Sequence, residues 1–144
     1  MPPDVWPTFW SRISELIRDG KIFSSVKVKE EIEHGNDELT LWMANNATNN
    51  FYYEIDSDIL QKYSATQNWA QKNPVYTPVA RTEYATVADA FLVATASAKG
   101  LILVTNETSD PRCKKRVKIP DACNALGVRC CDLNTALREL GVTI

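Results

Sequence analysis

No apolar run in this chain approaches the ~20 residues that a membrane span requires. The start, Met1-Pro2-Pro3-Asp4, also lacks the basic and apolar regions of a signal peptide. A cytoplasmic protein with no membrane partner is therefore expected. Histidine is nearly absent: His34 stands alone, beside Gly35 at a predicted helix end, and reads as a solvated terminus and not as a base. The four cysteines, at 113, 123, 130 and 131, form no Cys-x-x-Cys pair. That spacing argues against a zinc site or a disulfide framework, and for buried free thiols in a reducing compartment. No strong charge of either sign is present, since 16 Lys and Arg against 18 Asp and Glu leave a net −2. Affinity for a polyanion has to come from a local patch.

What is there is a full-sized apolar content. Of 144 residues 44% are hydrophobic, enough for one globular domain over 1–144, with no internal repeat. Pro7 opens a helix that Gly20 closes, with Phe9, Ile13, Leu16 and Ile17 as its stripe. After an extended Lys21–Ser24 piece, Ser24 or Ser25 caps a helix ending at His34-Gly35, and Asn36 or Asp37 starts another running to about Asn46. Phe51–Ile55 reads as a strand or extended connector. Asp56 or Asp58 caps a helix through Leu60, Tyr63 and Trp69 that Asn73-Pro74 stops, and Thr77-Pro78 starts the next. The last third alternates strand and helix: Leu101–Thr105, a basic loop, Pro120–Leu126, Val128–Cys131 and Leu133–Leu140. This alternation predicts an α/β domain around a parallel sheet.

Three acids fall where chemistry is plausible. Asp89 opens the helix Val87–Ala96, apolar nearly all round, with Leu92, Val93 and Ala96 on its own side. It reads either as a site acid or as the third-position acid of a capping box begun by Thr86. Glu31 falls beside the stripe of Val28 and Ile32, whereas Glu30 and Glu33 belong to a solvated face. Glu107 follows the carboxyl end of the strand Leu101–Thr105, which reads as buried, at the edge where open α/β sheets bind ligands, or is a plain loop acid. Acids buried on separate elements are costly unless a cation sits between them. Hard cations with oxygen ligands, Mg²⁺ or Mn²⁺, fit such a set, and phosphodiester hydrolysis suits the site. The basic run Arg112-Cys113-Lys114-Lys115-Arg116-Val117-Lys118 comes next in the chain. Lys114, Lys115, Arg116 and Lys118 are candidate RNA phosphate contacts, against the plainer role of a solvated loop.

Phe9-Trp10, Val28–Ile32, Val87–Ala94, Leu103–Glu107 and Val117–Val128 together resemble the PIN-domain family, most closely its VapC-like toxin-type subfamily. The last two segments in succession are the more specific marks. The resemblance implies a three-layer α/β/α fold with a central, mostly parallel sheet, and a Mg²⁺- or Mn²⁺-dependent endoribonuclease partnered by an antitoxin protein. Glu31, Asp89 and Glu107 match the family's second, third and fourth acids, as catalytic residues and metal ligands, Glu107 standing where Asp is usual. The family's opening strand, which ends in its first Asp, has no counterpart before Pro2-Pro3, and Asp4 does not qualify because prolines precede it. An amino-terminally truncated domain with impaired cleavage is expected, its sheet rearranged or completed by a second copy or a strand-supplying partner. The alternatives are a catalytically inactive scaffold that binds protein or RNA, and a structural domain whose acids are caps and loop residues.

Overall fold

The computed structural model describes residues 2–35 and 37–143, in two compact units. One holds the chain up to Glu54 and takes it up again at Leu137, and the other runs Ile55–Ala136.

In the first unit, α1 (Pro7–Arg18) places proline where an N–H would lack a helical partner, and buries Phe9, Leu16 and Ile17. Of the expected stripe only Ile13 stays partly exposed. The Ser25 hydroxyl accepts from the Lys27 N–H and caps α2 (Val26–His34). Asp37 does the same for α3 (Glu38–Asn46) through the Thr40 N–H, and the alternative cap, Asn36, lies outside the described residues. Lys27–Glu30 and Lys29–Glu33 ion pairs line α2, so Glu30 and Glu33 take the solvated positions expected of them. Trp10 and Trp42 join α1 to α3, ring centroids 4.7 Å apart. β1 (Ser24–Ser25) pairs in parallel with β2 (Tyr52–Tyr53), Ser24 opposite Tyr52.

The second unit begins with Asp56, which accepts from the Ile59 N–H at the start of α4 (Ser57–Lys72) and from the Lys99 ammonium at 2.5 Å. Those two bonds hold its carboxyl below the ordinary carboxylate value. Thr77 caps α5 (Pro78–Thr86), and Val87, in an extended conformation, separates it from α6 (Ala88–Lys99). Gly100 adopts φ +66°, a left-handed conformation that a side chain would strain, and lets the Leu101 N–H bond the Ala96 carbonyl. The chain then enters β3 (Leu103–Val104). Gly127 ends α7 (Ile119–Leu126) in the same way, ahead of β4 (Cys130–Cys131). β4 lies parallel to β3 with Leu103 opposite Cys130, and α8 (Leu133–Glu139) follows.

Small residues let α6 approach α4 closely. Ala70 on α4 and Ala90, Val93 and Ala94 on α6 have no exposure, nor does Ile59 on α4. The buried Thr66 and Tyr84 hydroxyls share a 2.7 Å hydrogen bond. Burial pushes the Tyr84 phenol far above its usual value. The Cys123 thiol is pushed up to about 12, by burial first and by Cys130 second.

The protein is thus a mostly helical α/β structure, with eight α-helices and two parallel two-stranded sheets among the described residues. Three expectations change. Pairing is parallel, but in two separate sheets and not one. The strand after α6 is buried only at Leu103, because alternation sends Ile102 and Val104 outward at 46% and 45% exposure. Of the cysteines only Cys123 is buried. None of the described helices is long and apolar enough to cross a membrane.

Tyr84 and Cys123 both have folded-state pKa values above their unfolded ones, so they favour the folded state fully below pH 9 and lose that effect as pH climbs toward 12. The thermal midpoint is expected to stay level up to pH 9 and then fall, and Tyr84→Phe with Cys123→Ala should flatten the fall. An unchanged slope in the double variant contradicts this. Ile59→Ala should cost about 2–5 kcal/mol in denaturant unfolding. Leu60→Ala, at a half-exposed neighbour, should cost about 0.5 kcal/mol or less.

Candidate functional site

Past β3 the chain enters a loop, residues 105–118, fixed by its own polar side chains. The Thr105 hydroxyl accepts from the Glu107 N–H at 3.1 Å and turns the backbone. That turn sends the Glu107 carboxylate toward α7, where Oε2 accepts from the Ile119 N–H at 2.8 Å. Lys118 offers α7 no side-chain cap, so Glu107 supplies one from twelve residues away. Its other oxygen, Oε1, accepts from Arg116 Nη2 at 2.7 Å.

The same nitrogen lies 3.7 Å from Oδ2 of Asp89. Asp89 is the second residue of α6, so both acids stand at helix starts, where the peptide dipoles favour negative charge. The two carboxylates are therefore no further apart than the sum of those two distances. The Glu107 contact is a charge-assisted hydrogen bond, while the Asp89 contact is an ion pair without one. Glu107 is the more enclosed acid at 19% side-chain exposure, against 29% for Asp89 and 49% for Arg116. At that exposure each pair adds about 1 kcal/mol or less to stability.

Asp121 anchors the middle of the loop. It is 8% exposed, accepts from the Ser109 hydroxyl at 2.5 Å through Oδ1, and accepts from the Asp110 N–H at 3.1 Å through Oδ2. The Thr77 N–H bonds the Lys114 carbonyl, and Val117 is buried at the loop's end. Burial, with Asp121 as the next cause, pushes the neighbouring Tyr76 phenol up to about 12.

Of the three candidate acids, Asp89 and Glu107 meet at one guanidinium. Glu31 belongs to the other unit, exposed on α2, where it lines a cleft of about 240 Å³ with Val28, Ile32, Leu39 and a second acid, Asp37. The capping-box role of Asp89 is overturned: Val87 is the residue before α6, and the Thr86 hydroxyl donates backward to the Glu83 carbonyl. Among the candidate phosphate contacts Lys114 and Lys115 are exposed and Lys118 is partly so, while Arg116 is committed to the acids.

Two carboxylates are a donor set that suits Mg²⁺, which commonly takes one or two protein carboxylates and keeps several waters. They fit a water-rich divalent site, at the place where Arg116 now supplies the positive charge. Among the described residues no group of three His, Cys, Asp or Glu gathers to hold a metal.

Residues 1–144 match a family model described as Domain of unknown function (DUF4411). The chain belongs to that family. No curated protein and no solved structure matches this DUF4411 chain.

Two site residues escaped the sequence. Asp121 and Ser109 are twelve residues apart, and only the pairing of Ser109-Asp110 with an acid just after Pro120 hints at their bond. Asp121→Ala would leave the Asp110 N–H without its acceptor, at a cost of about 1–3 kcal/mol. Faster amide exchange at Asp110 and a lower thermal midpoint are expected, and an unchanged exchange rate there would refute the anchoring role.

Proposed function

We propose that this chain is a PIN-like, metal-dependent endoribonuclease of toxin–antitoxin type that works in the cytoplasm. The observation that carries it is the meeting of Asp89, in the first turn of α6, and Glu107, which caps α7 from the loop, around one positive charge at the edge of a basic loop. The two acids would hold Mg²⁺ or Mn²⁺; Glu31, the further acid that the resemblance assigns, belongs to the other unit. When bound, such an ion lowers the pKa of an attacking water and neutralises charge on the phosphate and the leaving oxygen. The protein's own part is positional. The Ile119 N–H keeps Glu107 oriented, and α6 carries Asp89 on a rigid, buried helix. Lys114, Lys115 and Lys118 offer point charges to the RNA backbone, which orient the strand without reading its bases.

The alternative is a catalytically inactive scaffold that binds RNA or a protein. It is favoured by Arg116, which already sets one positive charge against the acid pair, and by the lack of a third acid beside them among the described residues. An antitoxin, a second copy or a strand-supplying partner would find open strand edges here. Among the described residues each strand is two residues long with one partner, and Val104 in β3 and Ile102 just before it are exposed.

Single-stranded RNA incubated with the chain in Mn²⁺ should be cut weakly, and not at all in excess EDTA. Asp89→Asn and Glu107→Gln should each lower the rate by about 10²–10³-fold, the usual effect of deleting one charge-stabilising group. Cleavage indifferent to both would exclude the acid pair. Lys114→Ala and Lys115→Ala should weaken RNA binding alike for all sequences, each reducing the salt slope by about one. A sequence-dependent loss would mean that these lysines read bases.

A further inference from the structure

The contact between Arg116 and the two acids assigns this arginine a second position, and the inference rests on the acid pair being a cation site. One nitrogen, Nη2, serves both carboxylates, at 2.7 Å from Glu107 and 3.7 Å from Asp89. A divalent ion shared by those oxygens would occupy the same space. Keeping both is disfavoured, because like charges about 4 Å apart repel by roughly 1 kcal/mol per unit pair even in water, and by several times that near a protein surface.

Three features make Arg116 the part that moves. Its side chain is half exposed, so leaving the acids forfeits an ion pair of about 1 kcal/mol or less and little buried surface. Glu107 keeps its orientation without it, since Oε2 stays bonded to the Ile119 N–H. Asp89 is fixed by the helix that bears it, whose inner face is buried on α4. The anionic seat is rigid and its cation is on a flexible stem.

We infer that Arg116 is an exchangeable counter-cation: it closes the acid pair when no divalent ion is present, is displaced when one enters, and then serves as a phosphate ligand. Beside it on the loop stand Lys114, Lys115 and Lys118, so a released guanidinium joins a basic surface. There it adds the planar, bidentate contact to a phosphodiester that lysine cannot make. A divalent ion and a nucleic-acid phosphate both favour the displaced position, so each raises the other's affinity by one common factor.

The full chain is titrated with Mn²⁺ by electron paramagnetic resonance, with and without a saturating oligodeoxythymidylate. Arg116→Gln should bind Mn²⁺ about tenfold more tightly than wild type, within the range typical of coupled sites. Arg116→Lys, whose single ammonium spans both acids less well, should fall between, and it carries the test should the glutamine variant fail to fold. Glu107→Gln should lose the ion. The oligonucleotide should tighten Mn²⁺ binding to wild type and leave Arg116→Gln unmoved. Should both Arg116 variants bind Mn²⁺ no better than wild type while Glu107→Gln still loses it, the exchange is refuted and the acid site survives. Mn²⁺ binding that ignores Glu107→Gln refutes the site itself. Binding gained only in the Arg116 variants supports the exchange, and binding in no variant overturns both.

Discussion

Glu107 divides its carboxylate oxygens between a backbone N–H and a guanidinium, and the order of residues 105–118 follows from that division. Through Oε2 it closes the start of α7, which has no cap of its own, and through Oε1 it draws Arg116 back over the acids. Asp121 completes the fastening from the other direction, taking Ser109 and the Asp110 amide. The loop is long for a segment without secondary structure, and such loops inside compact units tend to be functional. Its order comes from carboxylates that each serve two partners, so little apolar area is needed to hold it.

Beneath the loop, the second unit is built on close helix contact. Alanines on α4 and α6 bring two backbones together, and the Thr66–Tyr84 hydrogen bond satisfies two buried hydroxyls, one from α4 and one from α5. The two strands are delivered by one device used twice, a helix stopped at a left-handed glycine. Asp89 and the amide that orients Glu107 thus both sit at starts of rigid elements, and the variable part is the arginine between the acids.

Local chemistry was legible in the sequence. Ser25, Asp37 and Asp56, each one of two candidates, and Thr77 cap their helices, because a cap needs only a side chain and an amide two or three residues on. The parallel sense of pairing was legible too, from alternation of helix and strand. What depends on distant partners was not. Thr86 matched a capping pattern by spacing alone, yet its hydroxyl had a nearer carbonyl in the preceding helix. The run Leu101–Val104 looked uniformly buried, but a strand sends alternate side chains to opposite faces, and one of these faces is open. Arg116 read as one phosphate contact among four, since nothing in a basic run shows which member folds back onto the acids.

The indoles are divided unevenly between the two units. Trp6, Trp10 and Trp42 belong to the first, the last two in contact with each other, and Trp69 alone reports on the second, packed edge-on against Tyr76. Intrinsic fluorescence therefore weighs the unit that lacks the Asp89–Glu107 pair three to one. Melting of the helices around that pair registers through a single indole, and a Trp69→Phe background would silence it in tryptophan emission.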